Sequence, residues 1–151
     1  MATAQTPPRA AFEAWRRIGE LLELERCRTA ALARELDLSS SQLLALRALD
    51  PAEPQRMGQL AGALECDKGN VTGIVDRLER RGLVERRPVD HDRRVKVLAL
   101  TPAGAQLRAE IEERLATPPD ELAALADDDL GRLAHAVGAV LDARRAARCG
   151  G

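Results

Sequence analysis

The 151-residue sequence predicts a mainly α fold with one small β-hairpin. Three observations predict it. Apolar residues recur at spacings of three and four along most of the chain, the period of helices with one buried face. Only residues 83–100 break that rhythm, with two short β-prone runs around a polar stretch. The chain also has one Trp, one Phe and no Tyr, too few aromatics for a β-sandwich.

Taken in order, residues 1–9 hold two prolines and no apolar period, and read as a tail. From Ala10 to about Leu36, Phe12, Trp15, Ile18 and Leu22 mark the first helix. Ser39 is then an N-cap with Gln42 at N3, a capping box, and Leu38 and Leu43 occupy the hydrophobic-staple positions. That helix runs to about Leu49 and stops at Asp50-Pro51. A short helix over 58–64 turns Leu60, Ala61 and Leu64 inward, and Glu65-Cys66 makes a brief turn. Asp67 is placed to cap a helix over 68–81, in which Val71, Ile74, Val75 and Leu78 form a narrow apolar stripe. Gly82 at C′ and Leu83 at C″ suit a Schellman ending.

The runs LVERR and RVKVLAL then flank PVDHDRR, which predicts a hairpin with a long projecting loop. Thr101-Pro102 is an N-cap and N1 pair opening a helix with Leu107, Ile111 and Leu115. Pro118-Pro119 break it. Asp127 is expected to cap a last helix carrying Leu130, Leu133, Val137 and Leu141, with bases at its end suiting the helix dipole.

Composition narrows the function. Hydrophobic residues at 45% exclude wholesale disorder. No apolar run reaches the length of a membrane-spanning helix, and the first residues lack the basic and apolar regions of a secretory signal. Three scattered cysteines, Cys27, Cys66 and Cys149, fit a reducing, cytoplasmic setting. With only His91 and His135 beside them, no metal site and no cofactor are expected. No phosphate loop or nucleophile–base motif suggests an enzyme, and Asp127-Asp128-Asp129 reads as helix capping. The net charge of −1 counts against nucleic acid when taken whole. Resolved by segment it does not: residues 68–96 hold nine bases and five acids, a net of +4, leaving −5 elsewhere.

Two helices in this order, followed at once by a hairpin, make a winged helix-turn-helix. The polar face of 68–81 offers Lys68, Asn70, Thr72, Gly73, Asp76, Arg77 and Arg80. Such groups near a helix start hydrogen-bond base edges and phosphates in a major groove; an ordinary solvated face has the same composition. Gly73 costs roughly 1 kcal/mol relative to Ala inside a helix, which close approach of backbone to a ligand would justify. On the hairpin, Arg86, Arg87, Arg93, Arg94 and Lys96 are cationic, and Asp92 is placed to orient a neighbouring guanidinium. A hairpin-tip arginine suits a narrow minor groove. The missing aromatics exclude base stacking and leave duplex DNA. One helix-turn-helix reads only a half-site, and the stripes over 12–22 and 130–141 exceed what one small winged helix covers, so a homodimer is expected.

The stretch MGQLAGALECDKGNVTGIVDRLERRGLVERRPVDHDRRVKVLALTPAG resembles the MarR family of bacterial transcriptional regulators. The resemblance rests on VTGIVDRLERRGLVERR and on DHDRRVKVLALTPAG with its Asp92-x-Arg94 wing. It implies a tail over 1–9, an N-terminal dimerisation helix over 10–36, a winged helix-turn-helix over 38–101 and C-terminal dimerisation helices over 102–148. It implies major-groove contacts from Lys68, Asn70, Thr72 and Arg77, a minor-groove contact from Arg94 steered by Asp92, and further contacts from Arg86 and Arg93. A palindromic operator and release by a small aromatic or phenolic effector are implied as well. Phe12, Trp15 and Arg16 are candidates to line an effector cleft, with dimer-core packing as the plainer alternative. Cys27, between Arg26 and Arg28, is the candidate redox thiol, against an inert one. Gly58 stands where the family has a Ser or Thr N-cap. A second reading makes the chain a protein-interaction adaptor acting through residues 109–130, where eight acids face Arg114 alone.

Overall fold

Helix α1 (Arg9–Glu35) opens the computed structural model, which describes residues 6–65, 68–89 and 92–149. Only its last turn is buried, through Leu32 and Ala33. It ends in a Schellman turn built on an unusual residue. Asp37, at φ 55°, donates its N–H to Arg34 O at 3.1 Å, and Leu38 N–H donates to Ala33 O at 2.7 Å. The Arg81 guanidinium covers this end, donating to the carbonyls of Asp37 and Leu36. Helix α2 (Ser40–Ala48) carries the expected capping box: Gln42 N–H donates to Ser39 Oγ at 3.2 Å, and Ser39 N–H donates to Gln42 Oε1 at 2.7 Å.

A two-residue strand, β1 (Gln55–Arg56), precedes α3 (Met57–Ala63) and has no counterpart in the sequence reading. Arg56, not Gly58, takes the N-cap position of α3, and its N–H donates to Gln59 Oε1 at 2.7 Å. Gly58 lies inside the first turn. Helix α4 (Lys68–Arg80) buries Val71, Val75 and Leu78 completely. It closes as expected: Gly82 at φ 67° donates its N–H to Glu79 O at 2.9 Å, and Leu83 N–H donates to Leu78 O at 3.0 Å.

Strands β2 (Val84–Val89) and β3 (Asp92–Leu100) pair antiparallel, from Val84 opposite Leu100 to Pro88 opposite Lys96, with a register shift after Pro88. The polar stretch expected as a long loop is thus mostly strand. With Gln55 opposite Leu98 and Arg56 opposite Val97, β1 completes a sheet of order β1-β3-β2. Pro88 is tolerated because β2 is an edge strand, where a missing N–H costs no ladder bond.

Helix α5 (Pro102–Ala116) is joined tightly to the α4–β2 turn. The Thr101 hydroxyl accepts from Gly104 N–H at 3.0 Å and donates to Gly82 O at 2.6 Å, while Thr101 N–H donates to Leu83 O at 3.1 Å. Ile111 of α5 enters the core cluster, with Leu43, Leu46, Leu49, Leu60, Val71, Val75, Leu78 and Leu98. The chain divides into two compact units, Met1–Leu115 and Ala116–Gly151, and all of α5 but its last residue falls in the first.

The second unit holds a short α6 (Asp120–Ala123) and a long α7 (Asp127–Cys149). Ala126 O accepts the first helical N–H groups, from Asp129 and Leu130. Asp127 is therefore the first helical residue rather than the cap, one of three acids in that first turn. Leu133, Val137, Val140 and Leu141 of α7 are exposed.

Candidate nucleic-acid interface

Burial of Val71, Val75 and Leu78 decides which face α4 offers to solvent. Asn70, Thr72, Gly73 and Arg77 are all on the exposed side. Asn70, Gly73 and Arg77 meet Gly69, Ile74 and Ser41 around a shallow recess of about 330 Å³. A Cβ added to Gly73 would meet no heavy atom within 4 Å. The chain's own packing therefore does not require glycine there. Ser41 carries no signal in the sequence: it reaches the surface from the first turn of α2, and its neighbours lie some thirty residues away along the chain. Arg77, Arg80 and Arg81 line a second recess with Gln42. Arg80 donates to Asp76 O and Arg81 to the end of α1, whereas Arg77 has no carboxylate partner among the described residues.

The wing residues divide. Arg86, expected at the DNA, turns instead toward α4 and pairs with Asp76 at 2.6 Å and with Glu79. Arg87 pairs with Glu85 on its own strand, Nε to Oε1 at 2.9 Å. Lys96 is exposed. Lys68 begins α4 and Asp92, Arg93 and Arg94 begin β3, but their side chains lie outside the described residues, as do Cys66 and Asp67.

Residues 38–96, the capped α2 through the middle of β3, match the model of the MarR family. The match spans 59 of the 151 residues and marks this region as similar to that family. Over 100 residues the chain is 33% identical to the HTH-type transcriptional repressor NicR of Pseudomonas putida, a match covering 64% of this chain and 63% of NicR. A MarR family protein from Bacillus stearothermophilus superposes with a TM-score of 0.78 at 19% identity, covering 93% of this chain and 99% of that one. A mutant of S. aureus MepR, solved bound to an oligodeoxyribonucleotide, gives 0.61 at 18% identity over 87% and 96% of the two chains. At these identities the two structures establish a shared fold.

The other candidate residues, Phe12, Trp15, Arg16 and Cys27, all stand on α1. A cleft of about 810 Å³ lies along α1 and α2 and is lined by Leu22, Glu23, Arg26, Thr29, Leu44 and Arg47 among others. Phe12, Trp15 and Arg16 are not among its walls. Phe12 and Trp15 are each more than half exposed, and Arg16 sits between Glu13 and Glu20. Arg47 also donates from Nε to Glu112 Oε1 at 2.8 Å, and this hydrogen bond holds the Glu112 carboxyl below its ordinary range. Cys27 is an exposed thiol. Its flanking cations are already engaged, Arg26 with Glu23 and Arg28 with Glu25 and the Arg114 carbonyl. Among the described residues no cluster of His, Cys, Asp or Glu is placed to hold a metal, and no helix is long and apolar enough to cross a membrane.

Proposed function

We propose that the chain is a homodimeric, sequence-specific duplex-DNA-binding transcriptional regulator without catalytic activity, a repressor released by a small-molecule effector. The observation that carries this reading is the exposed face of α4. Asn70, Thr72 and Arg77 supply amide, hydroxyl and guanidinium groups there, and Gly73 leaves open room for close approach to a groove. The company of a protein named as a repressor and of one solved with an oligodeoxyribonucleotide supports it. Contacts from Lys68, Asp92, Arg93 and Arg94 belong to the same reading.

Self-association is supported within each unit separately. Phe12, Trp15, Leu21, Leu22 and Leu24 of α1 are exposed, as are Leu133, Val137, Val140 and Leu141 of α7. Apolar patches of this kind mark contact surfaces, and a two-fold dimer matches a palindromic operator. The α1–α2 cleft, with Leu22 and Leu44 beside Arg26 and Arg47, has the composition for a small aromatic or phenolic anion. The protein would act in the cytoplasm, where the chromosome is.

Selection of duplexes from a random-sequence library, followed by affinity measurement over a salt series, tests the reading. The expected result is an enriched palindrome and a slope of log K against log[salt] near −0.9 per phosphate neutralised. Arg94→Ala should lose about tenfold in affinity with its melting curve unchanged; equal affinity for the enriched duplex removes the wing from the interface. Substitutions of Asn70 and Thr72 should alter the enriched sequence more than the salt slope. Failure to retain any duplex at low salt would favour a protein-interaction adaptor.

A further inference from the structure

Arg86 stands opposite Leu98 in the β2–β3 ladder, and its guanidinium spans two carboxylates of α4. Nη2 donates to Asp76 Oδ1 at 2.6 Å, Nη1 donates to Glu79 Oε2, and the Arg86 backbone N–H donates to Glu79 Oε1 at 3.3 Å. The side chain is only 19% exposed. Asp76 and Glu79 are three residues apart and so neighbours on the helix surface, which lets one planar cation close on both. The hydrogen bond to Asp76, with the fields of both carboxylates, raises the Arg86 pKa above its already high ordinary value. Its charge is permanent.

The place of this cluster gives it a consequence. Asp76 directly precedes Arg77 and follows Gly73 by three residues, so it borders the face of α4 assigned to DNA. With Arg86 in place the three groups carry a net −1; without it, two bare carboxylates would stand at the edge of a phosphate-binding surface. The same three hydrogen bonds tie the wing strand to the C-terminal half of the recognition helix. They add to the Gly82–Leu83 turn and to the core shared by Val84, Leu98 and Leu78 in holding the element expected in the minor groove against the one expected in the major groove.

We infer that Arg86 is a positioning residue for DNA recognition rather than a DNA contact: it fixes the wing against α4 and masks Asp76 and Glu79 from the phosphates. The inference rests on the DNA-binding reading above. It accounts for a guanidinium in the wing that faces away from solvent.

The test compares wild type, Arg86→Ala, the Asp76→Asn/Glu79→Gln pair and the triple variant. Two fluorescein-labelled probes are used: the duplex that wild type enriches from a random library, and the unselected pool of equal length. Arg86→Ala should weaken binding to the enriched duplex by about tenfold or more and to the pool by less. The triple variant should recover the pool affinity, because the bare carboxylates are gone, while its preference for the enriched duplex stays reduced. Should Arg86→Ala fail to fold by circular dichroism, the Asn/Gln pair carries the test: its pool affinity should rise and its enriched-to-pool ratio fall. A triple variant no better than Arg86→Ala would mean that the guanidinium itself touches DNA, and an Arg86→Ala equal to wild type would mean that the clamp is idle. Either overturns the inference and leaves the DNA-binding reading standing. A wild type that binds neither probe overturns both.

Discussion

Gly104→Ala tests the seam that holds α5 against the turn between recognition helix and wing. At the third position of α5 an alanine would ordinarily gain about 1 kcal/mol in helix propensity. Here its Cβ would lie 1.9 Å from the Leu83 carbonyl oxygen, 2.8 Å from the carbonyl carbon and 3.2 Å from Cα. An ordinary carbon–oxygen contact needs roughly 3.3 Å, so the two backbones must part by more than an ångström. Neither side yields freely. Leu83 O accepts from Thr101 N–H at 3.1 Å, Leu83 N–H is held by Leu78 O at 3.0 Å, and the Thr101 hydroxyl bridges Gly82 O and Gly104 N–H. Parting them loosens two or three hydrogen bonds at about 1 kcal/mol each and adds an overpacking cost of about 1–3 kcal/mol. After the propensity gain, the net loss is about 2–5 kcal/mol. Urea unfolding followed by far-ultraviolet circular dichroism, at one fixed protomer concentration because self-association moves the midpoint, should show a lower midpoint with an unchanged slope. A variant as stable as wild type would refute the reasoning: the seam would be soft, and glycine would not be required by contact.

Gly73→Ala should behave in the opposite way, gaining about 0.5–1 kcal/mol in the same unfolding assay because its Cβ meets nothing. Its affinity for the enriched duplex should nevertheless fall; unchanged affinity would remove the close backbone approach. Asp37→Gly should stabilise the fold by about 0.5–1 kcal/mol, since φ 55° burdens a residue with a Cβ, and a loss on the same titration would show that the aspartate side chain matters. Glu112→Gln should cost under about 1 kcal/mol at neutral pH, because Arg47 and Glu112 are both more than a third exposed. The Glu112 carboxyl is held below its ordinary value of 4.5, so its contribution is present above that pH and is lost as pH falls through the lowered folded value. The deficit should therefore shrink as acid is added below about pH 4.5, and one that persists undiminished would show that the ion pair is not its source.

Short-range signals were legible in the sequence. Ser39 with Gln42, Gly82 with Leu83 and Thr101 with Pro102 lie within a few residues of the groups they satisfy, and each makes its expected turn or cap. The stripe Val71, Val75 and Leu78 likewise fixes the exposed face of α4 by itself. What escaped depends on distant partners. A two-residue β1 shows no alternation, and its ladder partners Val97 and Leu98 lie some forty residues on. Pro88 reads as the edge of a loop because the sequence does not reveal that β2 lacks an outer neighbour. Arg86 reads as a wing cation because its partners Glu79 and Asp76 lie on another element, seven and ten residues earlier. Ser41 and the α1–α2 cleft are missed for the same reason, since each is formed by elements meeting in space.

The grip of Arg81 on the Leu36 and Asp37 carbonyls makes α1 a lever with its fulcrum at the end of the recognition helix. Between Trp15 and Glu35 the arm is about 30 Å long at 1.5 Å per residue. A rotation of 5° about the gripped end carries Trp15 through roughly 2.5 Å. Conversely, a shift of an ångström or two at the far end reaches α4 as a turn of only a few degrees. The geometry thus relates ångströms at the exposed apolar end to a few degrees beside Arg77.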